Sequence, residues 1–394
     1  MKSNMRVAFD ARHLTSVVLR GMDRYTVGLV GELVDRGVEV TLFHRAREPL
    51  NTQHIQGLGC QVVGLDDYSG LHWEQVVVPI ALRQGKYDLY HAPAERGVPI
   101  LAPCPVIFTI HSLTMDSYYR LVKSKQLAGE ISDYIGFNYR PHSFNFWSYL
   151  FSFQVMRSDW ILCPSDFCKQ EIVTFLNENP DRITTTYLAA HKQFENPPRS
   201  DKDRTILLQC IGINRPYLLY VGGYEPHKNV SGLLETFYII KQTFPDLLLV
   251  TVGSKSIPTG LKQKVLQLNF DDNDVLMLVD IKDELTELYD SCELFVTLSW
   301  RETFCLPALE AMKRGIPVVG SKLGAFSEIA GRAGNIIDPC NYPEAAKTII
   351  RLLSGDERKC LSEFARMRAK EFTWDKTATE TLIAYNKIIK MQTK

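Results

Sequence analysis

The 394-residue sequence lacks most of the features that assign a chain quickly to a function class. Neither charge is in excess: 45 Lys and Arg face 45 Asp and Glu, a formal net charge of zero. A field that grips a polyanion is therefore not expected, and no nucleic-acid partner is assigned. There is no low-complexity tract, and 45% hydrophobic content is too high for disorder. Apolar runs such as Val76 to Leu82 fall far short of the roughly 20 residues a membrane span needs. Met1-Lys-Ser-Asn-Met-Arg leads straight into a strand-like Val7-Ala-Phe, which predicts no secretory leader. The nine cysteines form no CxxC pair and predict reduced thiols in a cytoplasmic protein. No GxGxxG follows the first strand, where Gly21 stands alone, so NAD-dependent redox chemistry is disfavoured. GxxxxGK[ST], GxSxG and HExxH are all missing. The histidines show no metal-ligand spacing, and Asp272-Asn-Asp274 reads as a solvated turn rather than a metal-binding DxD. No metal and no cofactor are expected.

What the chain has is rhythm. Short apolar runs, bounded by Gly, Pro and Asp, read as strands buried on both faces. They are Val7-Ala-Phe, Val38 to Phe43, Leu89-Tyr-His, Val106 to Ile110 and Trp160 to Cys163, then Tyr217 to Val221, Leu247 to Val252, Val275 to Leu278, Leu294 to Leu298 and Pro317-Val-Val. Between them lie helical patterns such as Tyr25 to Arg36, Val230 to Thr243 and Ser362 to Lys370. Strand–helix alternation predicts an α/β protein with parallel sheets and right-handed crossovers. The pattern runs twice. A first domain is placed at residues 1–195, a linker carrying Pro197-Pro198 at 196–211, and a second domain at 212–373. A last helix, 374–394, presents Leu382, Ile383, Tyr385, Ile388 and Ile389 as one face. Two doubly wound domains predict a ligand cleft where the carboxyl ends of the strands face it. The segment 117–160 breaks the rhythm, with 12 of the 41 aromatic residues. Two readings of it stay open: a buried helix, or an exposed aromatic face for a lipid-linked acceptor, a protein partner or a membrane interface.

Two stretches carry chemistry. Tyr220-Val-Gly-Gly-Tyr-Glu-Pro-His-Lys-Asn-Val is a buried strand ending in glycines, a loop, and a helix starting near Asn229. Gly222 and Gly223 allow close backbone approach, and Lys228 stands where a cation meets an anion at a helix start. A lysine point charge suits a diphosphate, although a tight turn with a solvated lysine reads equally well from this stretch alone. Ser299-Trp-Arg-Glu-Thr-Phe-Cys-Leu-Pro-Ala-Leu-Glu-Ala-Met-Lys-Arg-Gly is the more informative one. Glu302 lies in a loop just before a helix whose first backbone N–H groups are free to receive phosphate or sugar oxygens. Glu310 lies among Leu309, Ala311 and Met312, where an unpaired charge is costly and a role in holding vicinal hydroxyls is favoured over a surface position.

Glu302-x-Phe304-x(5)-Glu310 resembles the E-x-F-G-x(4)-E signature of family 4 retaining glycosyltransferases of GT-B fold. Tyr220 to Asn229 is similar to their Y-V-G-x-x-E-P-R-K-N segment. Phe9-Asp-Ala-Arg, Gly21-Met-Asp-Arg-Tyr, His91-Ala-Pro, Thr109-Ile-His111-Ser-Leu and Phe372-Thr-Trp374 resemble further family segments, in order along nearly the whole chain. The resemblance implies two Rossmann-like domains facing across a cleft, acceptor bound by the first, nucleotide sugar by the second, and a terminal helix returning to the first. It implies that Glu310 holds ribose hydroxyls and Glu302 donor-sugar hydroxyls, with the backbone of Thr303, Phe304, Cys305 and Leu306 near sugar and phosphate oxygens. Lys228 would neutralise the diphosphate, Gly21 and Met22 would approach the donor, His111 would sit beside the sugar, and Ile281 would meet the base through its backbone. His111, Glu302 and Lys228 are the catalytic assignments that follow, and transfer would be retaining and metal-independent, from a UDP- or GDP-sugar to a glycan, lipid-linked or small-molecule acceptor. The implied setting is the cytoplasm, with 117–160 as the part that could rest on the inner face of the membrane.

The chain departs from the signature at Thr303 and Cys305, where glycines flank the Phe. It departs also at His227, where Arg precedes the lysine, at Ser112 after His111, and at Asp23 in the first glycine loop. A catalytically degenerate subunit that binds nucleotide or a partner therefore stands as the alternative, and a GT-B isomerase as a third reading. Cys305, from its motif position, is expected to be alkylated unless nucleotide protects it.

Overall fold

The computed structural model describes residues 5–16, 19, 21–94, 96–113, 144–253, 256–271, 273–279, 281 and 284–392, and only the backbone of 144–149. The chain divides into two compact units, Met1–Leu188 with Thr373–Lys394, and Ala189–Phe372. The terminal segment thus belongs with the first unit. Residues 189–195, expected in the first domain, fall in the second. The stretch expected as linker contains a helix, Asp201–Cys210, whose start is capped by Ser200 accepting from the Asp203 N–H.

The first unit has strands β1 (Arg6–Asp10), β2 (Glu39–Arg45), β3 (Gln61–Leu65), β4 (Leu89–Ala92), β5 (Val106–Thr109), β6 (Trp160–Cys163) and β7 (Ile183–Thr185). They form one sheet, ordered β3-β2-β1-β4-β5-β6-β7, with every pairing parallel. Helix α1 (Gly21–Asp35) follows β1 and buries Tyr25, Leu29 and Leu33. The second unit has β8 (Tyr217–Val221), β9 (Leu248–Gly253), β10 (Val275–Val279), β11 (Leu294–Thr297), β12 (Val318–Ser321) and β13 (Gly334–Ile337). Its order is β10-β9-β8-β11-β12-β13, again all parallel. Helices α2 (Val230–Lys241) and α3 (Leu306–Lys313) follow β8 and β11. Each sheet is doubly wound, because its first strand is central and the chain works outward to either side.

The ten strands read from the sequence are all present, and nine of the thirteen observed have four or more consecutive buried residues or lie inside a sheet for that reason. The three that the sequence pattern did not reveal, β3, β7 and β13, are all sheet edges. An edge strand is wetted on part of its surface, so the continuous apolar run is not required of it. β3 alternates instead of running apolar, with Gln61, Val62 and Gly64 exposed.

Helix α4 (Trp374–Gln392) closes the first unit against α1, β6 and β7. Its buried face is Trp374, Thr377, Ala378, Thr381, Ala384, Tyr385 and Ile388. Ile383, expected on that face, is 55% exposed, while two threonines take buried positions: Thr381 donates its hydroxyl proton to the Thr377 carbonyl at 2.7 Å and Thr377 donates to the Tyr187 carbonyl at 2.5 Å. Trp374 needs Gly28: a Cβ there would lie 2.5 Å from the indole. Residues 117–143 of the aromatic segment lie outside the described residues. Helix Phe144–Arg157 ends the segment with Phe151 and Val155 in the core and Phe151 against Phe108, ring centroids 5.9 Å apart. Among the described residues no helix is long and apolar enough to cross a membrane.

Candidate active site at the carboxyl ends of the strands

In the second unit the direction of winding reverses between β8 and β11, the position where open α/β sheets bind ligands. The loops leaving these two strands carry the residues that the sequence singled out. β8 runs through Gly222 and Gly223 into a tight turn, Pro226–Lys228, and the backbone becomes left-handed at Asn229, φ 51°. Asparagine tolerates this geometry. The Asn229 carboxamide oxygen caps α2, accepting from the Gly232 N–H at 3.1 Å. Its NH2 group donates to the carbonyls of Leu298 at 3.1 Å and Pro339 at 3.0 Å. One buried side chain therefore ties the loops after β8, β11 and β13 together. A second tie is the Trp300 N–H donating to the His227 carbonyl at 2.9 Å.

These ties set Lys228 against Glu302. The ammonium donates to both carboxylate oxygens at 2.9 Å, and the Ser299 hydroxyl donates to Oε1 at 2.8 Å. Burial opposes both charges. It is outweighed in each case: Glu302 lifts the Lys228 pKa above its ordinary value, and Lys228, Ser299 and His227 together hold the Glu302 carboxyl below its own. Both groups are charged at neutral pH. His227 is not, since burial and the neighbouring Lys228 push its pKa down to about 4. Its Nδ1 is buried with no hydrogen-bond partner.

The Glu302 loop is held from beneath. Ala325 N–H donates to the Glu302 carbonyl at 2.8 Å, and Gly324, φ 89°, lies so close that a Cβ would stand 2.6 Å from the Glu302 N and O. Phe304 is buried with its ring edge-on to Phe372, centroids 5.9 Å apart, so its side chain is an anchor and its backbone is what the helix start offers. Cys305 precedes α3 in the left-handed region, φ 69° and ψ 58°, which explains why the family signature has glycine here. Its thiol is buried, and burial and Glu302 raise its pKa far above the ordinary value, so the expectation of a readily alkylated cysteine is corrected: thiolate is scarce and access closed. Leu306 is the first helical residue, and Pro307 lacks an N–H, which leaves Phe304, Cys305 and Leu306 to supply the donors at this helix start. Thr303 is half-buried between Glu302 and Phe304.

Glu310 is 1% exposed on α3, and the Tyr289 hydroxyl donates to its Oε2 at 3.1 Å. The reading that it is not a surface glutamate is consistent with this position. Gly222 and Gly223 are required by the chain's own packing. A Cβ on Gly222 would meet the Tyr220 hydroxyl at 2.7 Å, and one on Gly223 would meet the Glu225 carboxylate, so the chain's own side chains occupy the room these glycines leave. Ile281 follows edge strand β10, and its neighbours 280, 282 and 283 lie outside the described residues. Ser299, Asn229 as a three-loop tie, Tyr289 and Gly324 were not singled out from sequence; Asn229, Tyr289 and Gly324 meet partners 21 or more positions away, whereas Ser299 sits three residues before Glu302 and was within reach of local spacing.

Gly21, Met22 and His111 belong to the first unit. Gly21 opens α1, and the Met22 carbonyl accepts from the Thr26 hydroxyl at 3.0 Å. Asp23 is buried in the first turn, where the helix N-terminus favours a carboxylate. His111 lies just beyond β5 with Nε2 2.9 Å from the Pro93 carbonyl and its ring edge-on to Tyr25, centroids 4.8 Å apart. A carbonyl only accepts, so Nε2 carries the proton and Nδ1 keeps a lone pair. Burial pushes the pKa down to about 4, against a smaller opposing effect of that hydrogen bond. His111 is a neutral acceptor at neutral pH. The structure thus puts Lys228 and Glu302 in direct contact, with Glu310 on the helix that follows, and places the other three on the first unit.

Two doubly wound parallel-sheet domains, the second bearing a lysine–carboxylate pair at its switch point, define the GT-B architecture. The model of Glycosyltransferase Family 4 matches residues 19–190, and that of Glycosyl transferases group 1 matches residues 209–368. The chain belongs to the family 4 glycosyltransferases. Escherichia coli O-antigen chain mannosyltransferase B is 32% identical over 232 residues, 57% of this chain and 60% of that protein, so the match spans less than two thirds of the relative. A D-inositol 3-phosphate glycosyltransferase of Corynebacterium glutamicum is 21% identical over 98% of this chain and 97% of its own. The structure of Anabaena HepE in complex with UDP and glucose superposes with a TM-score of 0.73 at 15% identity, over 97% of this chain and 99% of that one, a likeness of fold.

Proposed function

We propose that the chain transfers a hexose-type sugar from a UDP- or GDP-sugar to an acceptor hydroxyl, with retention and without a metal. The observation that carries this reading is the Lys228–Glu302–Ser299 array at the switch point, followed by buried Glu310 on α3. A nucleoside diphosphate brings negative charge that Lys228 and the amides of Phe304, Cys305 and Leu306 can meet together. Lys228 then leaves Glu302, whose carboxylate turns to the hydroxyls of the donor sugar. Glu310, which accepts from Tyr289, is a carboxylate, the group suited to accept from the two vicinal hydroxyls of ribose. As the glycosidic bond to phosphate breaks, charge grows on the diphosphate, and preplaced donors stabilise it without reorganising. His111, which the family resemblance assigns to the sugar, is neutral, so its chemistry there would be that of an acceptor through Nδ1 rather than an acid.

The mannosyltransferase relative names a glycan acceptor and the inositol-phosphate relative a phosphorylated polyol, so the acceptor class lies between these two. Cys305 supports catalysis over the degenerate reading: it adopts the left-handed backbone that glycine would supply, so the substitution leaves the loop in place. The test is nucleotide release from UDP- and GDP-sugars with and without EDTA, alongside thermal shifts with the diphosphates. Release with one base, indifferent to EDTA and yielding an α-anomer from an α-donor, supports the reading. Nucleotide binding without turnover on any acceptor would move the chain to the degenerate class.

A further inference from the structure

Apart from these loops, the first unit holds a cavity of about 600 Å³ at the carboxyl end of its own sheet. That is an ordinary size for a small-molecule site. Its described walls carry three cations, Arg12, Arg45 and Arg96, and three carboxylates, Asp10, Glu48 and Glu74. They come from the loops after β1, β2, β3 and β4, and Met22 of α1 completes one side.

The charges are already matched. Arg12 reaches Asp10 at 2.7 Å and Glu74 at 3.0 Å, and both carboxylates are buried. Its guanidinium also lies over the Trp73 ring, 4.1 Å from the centroid. Arg45 reaches Asp67 at 2.6 Å and Glu48 at 2.7 Å. Glu74 receives a further donor, the Gln154 carboxamide, at 3.2 Å. A phosphate placed here would compete for guanidinium forks already filled, and would strand buried carboxylates without their counter-charge. A neutral ring bearing hydroxyls asks for something else: carboxylate oxygens to accept its protons and guanidinium N–H groups to donate to its oxygens, side by side. The described walls offer both, with as many carboxylates as guanidinium groups.

We infer that this cavity holds the terminal sugar of a neutral acceptor glycan and turns away phosphorylated polyols. The inference rests on the transfer reading and deepens it by naming the acceptor class. Of the lining carboxylates Glu48 has the more exposed side chain, 49%, so it can be changed with little disturbance, and Arg45 keeps Asp67.

The test is ligand-observed NMR on the full chain saturated with UDP or GDP. The probes are methyl α-D-mannopyranoside, methyl α-D-glucopyranoside, mannose 6-phosphate and myo-inositol 1-phosphate. A neutral glycoside should bind about tenfold or more tightly than either phosphate, since a phosphate displaces charge contacts that the walls already make. Glu48→Gln leaves the walls with one net positive charge and should improve phosphate-bearing probes about fivefold relative to the neutral ones. Tighter binding of a phosphorylated probe by the unaltered protein, or no change of preference in Glu48→Gln, would overturn the inference. So would nucleotide binding with no saturation of any neutral glycoside. Failure to bind any nucleotide would sink the transfer reading itself, and this inference with it.

Discussion

Removing Lys228 should affect stability and ligand binding in separable ways. The ammonium donates to both Glu302 oxygens at 2.9 Å, and the side chains are 21% and 12% exposed. Stranding one member of a fully buried pair costs about 3–5 kcal/mol; the residual exposure lets water recover part, so Lys228→Met should cost about 2–3 kcal/mol. At about 2–4 °C per kcal/mol for a domain of this size, the second unit should melt roughly 5–10 °C lower. Lys228→Met/Glu302→Gln strands no charge and should regain most of that loss, to within about 1 kcal/mol. Nucleoside diphosphate binding should not return with it. One charge-assisted hydrogen bond to phosphate is worth about 1.5–3 kcal/mol, so both variants should bind about 10–100-fold more weakly. Differential scanning fluorimetry and calorimetric titration with the diphosphate that shifts the native protein read the two effects. The ion-pair argument fails if the double variant melts no higher than the single one. Unchanged diphosphate affinity in Lys228→Met would remove lysine from the phosphate site altogether.

Glu310→Gln keeps the shape of α3 but loses a charged acceptor, so nucleotide affinity should drop about tenfold with little change in melting; equal affinity would dissociate Glu310 from ribose. Cys305 should resist iodoacetamide in the folded protein with or without nucleotide, while exposed Cys210 and Cys360 react, as peptide mapping can show; rapid labelling at 305 would contradict its burial. Three histidines, His91 buried and His111 and His227 half-buried, have folded pKa values below the unfolded 6.5: His91 at about 3, His111 at about 4 and His227 at about 4. Between those values the unfolded chain binds more protons, so stability is full above pH 6.5 and is lost as pH falls, by about 1.4 kcal/mol per pH unit for each histidine. A melting temperature flat from pH 7 to 5 would show that these rings are not held neutral. Gly324→Ala should destabilise the Glu302 loop by about 1–3 kcal/mol and weaken donor binding, because φ 89° and the Glu302 backbone both exclude a Cβ; a neutral effect would mean the loop moves freely.

How much was legible follows from where each constraint acts. Interior parallel strands must be apolar on both faces, and β4, β5, β6, β11 and β12, each buried throughout, stood out as runs. The edges β3, β7 and β13 escape that constraint, and they are what periodicity passed over. The helix Asp201–Cys210 carried a readable start, Ser200 followed by Asp203, which the neighbouring Pro197-Pro198 outweighed in suggesting a linker. On α4 a threonine can be buried once its hydroxyl proton finds a carbonyl, the preceding turn for Thr381 and Tyr187 for Thr377, so apolar spacing alone misplaced Ile383. At the site, Glu302 and Glu310 share one strand–loop–helix unit, and their spacing was visible. The Lys228–Glu302 contact spans 74 positions and exists because β8 and β11 are neighbours, which no local spacing encodes.

The departures from the family signature change the electrostatics of the site more than its shape. A non-glycine residue in the left-handed region costs about 1–2 kcal/mol, yet Cys305 adopts it because the loop is fixed elsewhere. Gly324 lies against the Glu302 backbone, Ala325 holds the Glu302 carbonyl, and Phe304 is anchored on Phe372. His227 is the larger change. Where the signature has a permanent cation, this chain has an imidazole held neutral, its Nδ1 buried without a partner. The resting array of Lys228 and Glu302 is then charge-neutral, and a diphosphate gains net attraction only as Glu302 is passed on to sugar hydroxyls. On the proposed donor site, binding of the phosphates and engagement of the sugar would be coupled through that one carboxylate. A bare nucleoside diphosphate leaves Glu302 with neither lysine nor sugar, so the intact nucleotide sugar should bind more tightly than its own leaving group.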